Sequence, residues 1–175
     1  MTSAATGWPL VIKGWSIFAH PQFLDTFDSL VAQVERLRAK DPKWYTAKNP
    51  TKRLAAIVKL AFEVIPQDPT RPEYRQGATL GDEYKHWLRA KFFQQYRLFF
   101  RYHRESRIII YAWVNDEDTK RAYESASDAY RTFRRMLKSG NPPDDWNQLL
   151  RQTKAQNKRT RAARDSKSLM RRTDT

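Results

Sequence analysis

The sequence predicts one α+β domain, built as an antiparallel sheet with helices packed on one of its faces. Apolar residues recur at helical spacing in the first and last parts of the chain. Alternation with a period of two dominates residues 87–114 instead, which is typical of strands. The chain has 175 residues, 40% of them hydrophobic, which is enough for one core. Together these patterns give the order β-α-α-β-β-β-α-α.

The N-terminal part predicts one strand followed by two helices. Residues 15–19 are apolar, and Pro21 suits the first turn of the helix that follows. Large apolar side chains every three or four positions continue this helix until it ends near Asp41. Asn49 is a suitable N-cap for the second helix, which Pro66 closes.

A long connection then leads into three strands. Residues 66–86 are rich in proline, glycine and polar residues, which predicts a loop with one brief strand at residues 78–80. The segments after it are separated by turns short enough for hairpins, so we expect an antiparallel meander of strands at residues 87–93, 97–103 and 107–114. Helical spacing returns at Asn115 and stops before Gly140, and Pro142 begins a last short helix.

The composition changes after residue 152. Residues 153–175 contain eight lysines and arginines against two aspartates, and only two large apolar residues. A segment of this kind cannot bury enough apolar surface to fold by itself. We therefore predict a folded domain over residues 1–152 and a basic, disordered tail over residues 153–175.

The overall charge points to a polyanionic partner. Lysine and arginine total 33 against 19 acidic residues, which gives a net charge of +14 and makes nucleic acid the first candidate. The absence of cysteine excludes thiol catalysis and thiolate metal sites. No apolar run reaches the roughly 18 residues that a membrane helix needs, so we expect a cytoplasmic protein without a membrane partner.

Strand alternation gathers cations and aromatic rings on one face of the meander. This face comprises Arg89, Lys91, Arg97, Arg101, His103, Arg107, Tyr111 and Trp113. The only acid between residues 87 and 114 is Glu105, in a turn, whereas a merely solvated face would carry both signs of charge. Cations hold phosphates and aromatic rings stack on bases, so we predict that this face binds RNA.

Other polar groups support no metal or cofactor. The three histidines do not have the spacing of a metal motif, and the acids at residues 116–118 suit the first turn of a helix. His20 lies where it would cap or pack, whereas His86 and His103 are possible general bases near neutral pH. The chain lacks both the G-x-S-x-G pattern and a glycine-rich phosphate loop, which argues against hydrolase triads and nucleotide-dependent enzymes.

Several stretches of the chain resemble the YhaV family of toxins. They are GWSIFAHPQF at residues 14–23, KDP at 40–42, YRLFFRY at 96–102, IIIYAWVNDEDTKRAY at 108–123, DAY at 128–130 and MLKSGNPPDDW at 136–146. The likeness extends from about residue 14 to residue 153 and includes every predicted element.

This resemblance implies the toxin of a bacterial type II toxin-antitoxin pair. Such proteins have a RelE-like fold, cut messenger RNA, associate with ribosomes and arrest growth. Their antitoxin, PrlF, is similar to AbrB-like proteins, and operator DNA is bound only by the complex. RelE-like enzymes use lysines, arginines and a tyrosine on the concave face of the sheet. The matching positions here are Arg89, Lys91, Arg97, Arg101 and a tyrosine of the following helix.

The mechanism that we expect uses the 2'-hydroxyl of the RNA as nucleophile, so it needs no metal and leaves a 2',3'-cyclic phosphate. Lys91 or His103 would accept the proton, while Arg97 and Arg101 would stabilise the developing charge. The residues expected to bind substrate are Lys85, His86, Arg89, Arg107, Tyr111, Trp113 and Tyr130.

Two alternatives stay open at this point. The same basic face could hold RNA or a ribosome without cutting it. A DNA-binding regulator would need a basic recognition helix; residues 119–138 are the nearest candidate, but they lack the short partner helix before them.

Overall fold

A five-stranded mixed sheet organises the fold in the computed structural model, which describes residues 7–120 and 128–158. Its strands are β1 (Leu10–Ile12), β2 (Trp15–Ala19), β3 (Leu88–Phe92), β4 (Tyr96–His103) and β5 (Ile108–Val114). They lie in the order β1-β2-β5-β4-β3. The meander β3-β4-β5 is antiparallel, as predicted, but β2 runs parallel to β5. The α+β class is confirmed, whereas the prediction of a purely antiparallel sheet is wrong, because the helices after β2 return the chain before the meander begins.

The edge strand β1 is absent from the sequence prediction. It forms a hairpin with β2 in which Ile12 faces Trp15. The two residues between them, Lys13 and Gly14, have φ angles of 51° and 82°. Positive φ at both central positions is what the tight turns of two-residue hairpins require. Three apolar residues alone are too short a pattern to predict such a strand.

Helices α1 (Pro21–Lys40) and α2 (Asn49–Lys59) follow β2, as predicted. The N-cap of α2 is Lys48 instead of Asn49, which is the first helical residue. Beyond α2 the chain continues as a π-helical turn, Leu60–Val64, and the N–H of Ile65 donates to the carbonyl of Leu60. The next residue is a proline without an N–H, so the Ala61 carbonyl accepts a hydrogen bond from the Tyr111 hydroxyl at 2.5 Å instead.

The connection before β3 contains no strand at residues 78–80, where one was predicted. These residues form turns between Gly77 and Gly81, both with positive φ. The side chain of Gln76 organises them: its amide donates to the Tyr84 carbonyl at 2.9 Å and accepts from the Leu80 N–H at 3.0 Å. One buried amide thereby replaces the hydrogen bonds that a strand would have made.

A β-bulge between β4 and β5 changes which residues of β5 share a face. Phe99 pairs with Trp113, but Phe100 pairs with Tyr111, so Ala112 has no partner. The side chains of the β5 residues that precede Ala112 therefore point to the face of the sheet opposite to the predicted one. Tyr111 points to the face that α1 and α2 cover, and Ile110 points to the face that carries Arg101.

Helices cover the second face of the sheet as well, contrary to the prediction of helices on one face. Helix α3 (Ala129–Lys138) and a further helix, α4 (residues 146–158), pack there, so we call this side of the sheet the α3 face. Phe133 of α3 stacks on Phe99 with ring centroids 4.2 Å apart. The meander exposes too many aromatic rings on this face to leave it in water, which is the physical reason for the second layer.

Helix α4 continues beyond the predicted end of the folded part. Thr153 and Asn157 are completely or almost completely buried. The amide of Asn157 donates to the Ala19 carbonyl at 2.8 Å, which ties α4 to the end of β2. Disorder therefore does not begin at residue 153, because residues 153–158 are helical. The predicted tail from residue 159 onward lies outside the described residues.

The predicted helix from Asn115 to Gly140 is only partly described. Residues Glu117–Thr119 form a short 3-10 turn, and α3 begins after Asp128. Residues 121–127, which include Tyr123, lie outside the described part of the chain. Within residues 7–120 and 128–158, no helix is long and apolar enough to cross a membrane.

Candidate functional site

The sequence-predicted site residues form two separate groups. Arg89, Lys91, Arg97 and Tyr130 make the first group, which we call the arginine-tyrosine site. Lys85, His86, Arg101 and His103 make the second. Arg97 and Arg101 are four residues apart on the same strand, a separation of about 13 Å between their Cα atoms. The predicted catalytic residues therefore cannot all contact one phosphate.

The arginine-tyrosine site is built around one phenol oxygen. The Nε atoms of Arg89 on β3 and Arg97 on β4 both donate to the Tyr130 hydroxyl, at 3.0 and 3.1 Å. Tyr130 lies in the first turn of α3, and its backbone N–H donates to the carboxylate of the capping Asp128 at 2.9 Å. The cap of one helix thus positions the side chain that holds both arginines.

The other protein contacts of these arginines are backbone carbonyls. Arg89 donates through Nη1 to the Glu73 carbonyl at 2.7 Å, and Arg97 donates through Nη1 to the carbonyls of Gln94 and Tyr96. Both residues are less than 10% exposed. Within the described residues neither has a carboxylate within ion-pair distance, although unpaired buried charges are costly. Two fixed and uncompensated guanidinium groups are an arrangement suited to an anion.

Lys91 adds an accessible cation beside them. It lies opposite Arg97 in the β3-β4 register, so both side chains are on the same face. Lys91 is exposed, whereas Arg97 is buried. The site therefore combines two rigid guanidinium groups with one amine that can move toward a bound molecule.

The second group borders a cleft of about 450 Å³ at the start of β3. The cleft is lined by Arg75, Gly77, Lys85, His86, Leu88, Arg101 and Tyr102. Arg101 lies over the rings of Trp87 and Trp146, at 5.3 and 5.4 Å from their centroids. Its Nη1 donates to the Asp144 carbonyl at 2.6 Å, so the guanidinium is held on three sides. Burial lowers the pKa of Arg101 from its usual value, and a guanidinium nevertheless stays charged.

A carboxylate that the sequence analysis did not select organises this second group. The Oδ1 atom of Asp144 accepts from His86 Nε2 at 2.6 Å and from Trp87 Nε1 at 2.7 Å. His103 lies apart from this pair: its Nδ1 is 2.7 Å from Ser106 Oγ, and its ring stacks on Trp146. Asp144 lies between α3 and α4, and the only signal for it was its place in the stretch at residues 136–146.

Three predicted substrate-binding residues are not at either group. Tyr111 is fully buried on the face of α1 and α2, where burial raises its pKa well above the usual value. Trp113 is only 7% exposed and packs against both Phe99 and Phe133. Both therefore fail as exposed stacking surfaces, because of the bulge in one case and the cover of α3 in the other. The guanidinium of Arg107 lies over the Trp15 ring at 4.6 Å, in the turn after β4.

The remaining polar groups have structural roles. His20 caps α1 through Nδ1, and its Nε2 lies 3.2 Å from Gln152 Oε1, as the capping interpretation predicts. Asp116 accepts the N–H groups of the 3-10 turn that follows it. Glu117 accepts from the Tyr96 hydroxyl at 2.6 Å, and burial together with this contact raises the pKa of Tyr96 to about 12. No cluster of three or more metal-ligating side chains occurs in the described part of the chain.

Comparison with known proteins places the chain in a family. Residues 17–154 match the family model described as a toxin with endonuclease activity, of a toxin-antitoxin system. The chain is 47% identical over 148 residues to the ribonuclease toxin YhaV of Escherichia coli K12, which covers 83% of this chain and 96% of the relative. Toxin YhaV of Escherichia coli O157:H7 is similar to the same extent. No solved structure matches the chain. The chain belongs to the YhaV family of toxins.

Proposed function

We propose that this chain is an endoribonuclease toxin whose catalytic centre is the arginine-tyrosine site together with Lys91. The observation that carries the proposal is the pair of buried guanidinium groups held by one phenol oxygen, with no carboxylate near them in the described residues. Membership of a family with endonuclease activity, and a relative named as a ribonuclease, support RNA as the substrate.

The chemistry suited to these residues is transesterification within the RNA strand. The 2'-hydroxyl attacks the adjacent phosphorus, the bond to the 5'-oxygen breaks, and the products are a 2',3'-cyclic phosphate and a 5'-hydroxyl end. The Nη2 atoms of Arg89 and Arg97 donate to no acceptor in the described residues, so they are available to the phosphoryl oxygens. Lys91 accepts the proton of the 2'-hydroxyl, and the departing 5'-oxygen takes up a proton from water.

Tyr130 is a positioning residue in this scheme. Its oxygen holds both guanidinium groups before the substrate arrives, so no reorganisation is needed as charge develops on the phosphate. Lys91 is preferred to His103 as the proton acceptor, since Lys91 faces Arg97 directly and His103 is at the opposite end of β4. The reaction needs only groups of the protein, the RNA and water, so we propose that it is independent of metal ions.

The first experiment incubates the purified protein with end-labelled messenger RNA in EDTA, with and without translating ribosomes. Cuts with 2',3'-cyclic phosphate ends are the expected result. Lys91→Ala and Arg97→Ala should each lower kcat about a hundredfold, the effect typical of removing one group that stabilises developing charge. Arg36→Ala, which removes an exposed charge from α1 on the other side of the sheet, is the matched control. Losses below threefold at both positions would refute the assignment.

The same experiment separates catalysis from simple binding. If the protein is a noncatalytic RNA binder, both variants lose affinity and no RNA is cut under either condition. If it is an enzyme, the variants retain most of their RNA affinity and lose turnover. The comparison with translating ribosomes tests our proposal that the toxin acts on ribosome-associated messenger RNA.

The proposal extends to the fold family and the partners. We propose a RelE-like arrangement, since two strands and two helices precede a three-stranded antiparallel meander and a further helix. We also propose an AbrB-like antitoxin of the PrlF type, operator DNA bound only by the toxin-antitoxin complex, and a cytoplasmic location. Adding such an antitoxin should abolish cleavage, and a footprint on operator DNA should require both proteins. A toxin that binds the operator alone would contradict this part.

A further inference from the structure

We infer that the cleft between residues 75–77, residues 85–88 and Arg101 is a phosphate subsite, which holds the RNA strand away from the bond that is cut. The inference rests on the proposed function, because it concerns the substrate of the same reaction. Its lining residues include none of the residues assigned to the reaction.

Arg101 gives the cleft a fixed cation. Its guanidinium lies over two tryptophan rings, and its Nη1 is bound to the Asp144 carbonyl. A long side chain held in this way loses little conformational entropy when it binds an anion. No carboxylate of the described residues lies within ion-pair distance of Arg101, and the charges of Asp144 and Asp145 act on it from farther away.

The rest of the cleft is also cationic. Arg75 and Lys85 are exposed and line the cleft, and His86, which also lines it, contacts Asp144. Lys85 is paired with Asp82 at 3.2 Å, whereas Arg75 has no ion-pair partner in the described part of the chain. Two acids contact lining residues without lining the cleft themselves: Asp82 pairs with Lys85, and Asp144 accepts from His86 and Trp87 through Oδ1. A cleft with this lining favours an anion.

The ligand class is a phosphate of the strand and not a base. Trp87 is fully buried, and Trp146 has Arg101 over its ring and His103 stacked on it. These rings support the arginine and are not free to stack on a nucleobase. The subsite therefore positions the strand independently of its sequence.

The position of the cleft suits one continuous strand. Its residues 85–88 lead directly into β3, the edge strand that carries Arg89 and Lys91. Arg101 is about 13 Å from Arg97 along β4. An RNA strand that follows β3 would therefore contact the catalytic site with one phosphate and the cleft with another, a short distance along the strand.

The test uses an RNA with a single cleavage position, in a long form and in forms trimmed on either side. Arg101→Gln and Arg75→Gln should raise KM for the long RNA about tenfold or more, as expected for one lost charge-assisted hydrogen bond, with kcat unchanged. One of the trimmed forms, which cannot reach the cleft, should be cut equally by both variants and the wild type. Each variant should also reduce the slope of log Kd against log salt by about one. Arg36→Gln is the matched control.

Arg75 protects the test from misfolding, because it is exposed and its substitution leaves the core intact. If kcat falls instead of KM rising, or if long and trimmed RNAs respond alike, the subsite is overturned while the catalytic assignment stands. If the wild type cuts no RNA, the proposed function fails, and affinities decide the subsite. The subsite is supported if the wild type binds the long RNA more tightly than the trimmed RNA and Arg75→Gln abolishes this difference. Equal affinities of the wild type for the long and trimmed RNAs would overturn the subsite.

Discussion

Replacing Tyr130 by phenylalanine tests whether one phenol oxygen holds the two arginines that we propose to be catalytic. The change removes the only atom that accepts from both Arg89 Nε and Arg97 Nε in the described residues. Each buried donor left without an acceptor costs about 1–3 kcal/mol. Two such donors give an expected loss of about 2–6 kcal/mol in the free energy of unfolding.

Activity should fall further than stability. A displacement of about 1 Å in a group that contacts the reacting phosphate can cost about a hundredfold in rate. We therefore expect kcat to fall by about that factor, with RNA affinity reduced only slightly, because both positive charges remain. A merely structural role for Tyr130 would lower the amount of folded protein and leave the kcat of the folded fraction unchanged.

Urea unfolding and single-turnover cleavage measure the two effects. Tyr45→Phe is the matched control, because the structure assigns the Tyr45 hydroxyl no hydrogen bond within residues 7–120 and 128–158. Its unfolding free energy should change by less than about 0.5 kcal/mol. If the Tyr130→Phe protein unfolds and cleaves like the control, the Tyr130 hydroxyl neither stabilises the fold nor positions the two arginines.

Three further predictions concern the frame around the site. Tyr111→Phe should lower the unfolding free energy by about 1–2 kcal/mol and leave cleavage unchanged, because the hydroxyl bonds to Ala61 on the opposite face; loss of activity in the folded variant would contradict the bulged register. Asn157→Ala should lower the unfolding free energy by about 1–3 kcal/mol, since its amide bonds to backbone groups of Ala19. Deletion of the chain after residue 152 should lower it by at least as much. A deletion variant as stable as the full chain would support the predicted domain boundary at residue 152. Burial lowers the pKa of His20 below 6.5, so the unfolded chain takes up a proton that the folded chain does not, and stability should fall as the pH drops below 6.5; His20→Asn, which can still cap α1, should reduce this slope in urea unfolding measured between pH 5 and pH 7.5.

The first helix shows how much local pattern can predict. Its start after His20, its apolar face and its end at Lys40 all follow from residues that are neighbours in sequence. The same is true of the three strands of the meander, whose bounds differ from the prediction by about one residue. The bulge at Ala112 could not be predicted, because it depends on the pairing of two strands. It places Tyr111 on the face of the sheet opposite to the predicted one.

Strand alternation predicts the candidate site only in part. Alternation correctly placed Arg89, Lys91 and Arg97 on one face, but it also predicted one site where the structure has two groups. Tyr130 reaches Arg89 across 41 residues, and Asp144 reaches His86 across 58. No periodic pattern encodes contacts at such separations.

The basic character of the protein, its local elements and the set of cations from which a site could be built can all be predicted from the order of the residues. These properties depend on composition and on residues that are neighbours in sequence, and such neighbours interact whatever the tertiary structure is. Three features depend on tertiary packing: a second helical layer covers the basic face, Tyr130 holds two arginines, and Arg101 belongs to a separate cleft. The physical reason is that burial and hydrogen bonding between distant segments depend on which surfaces meet when the chain packs.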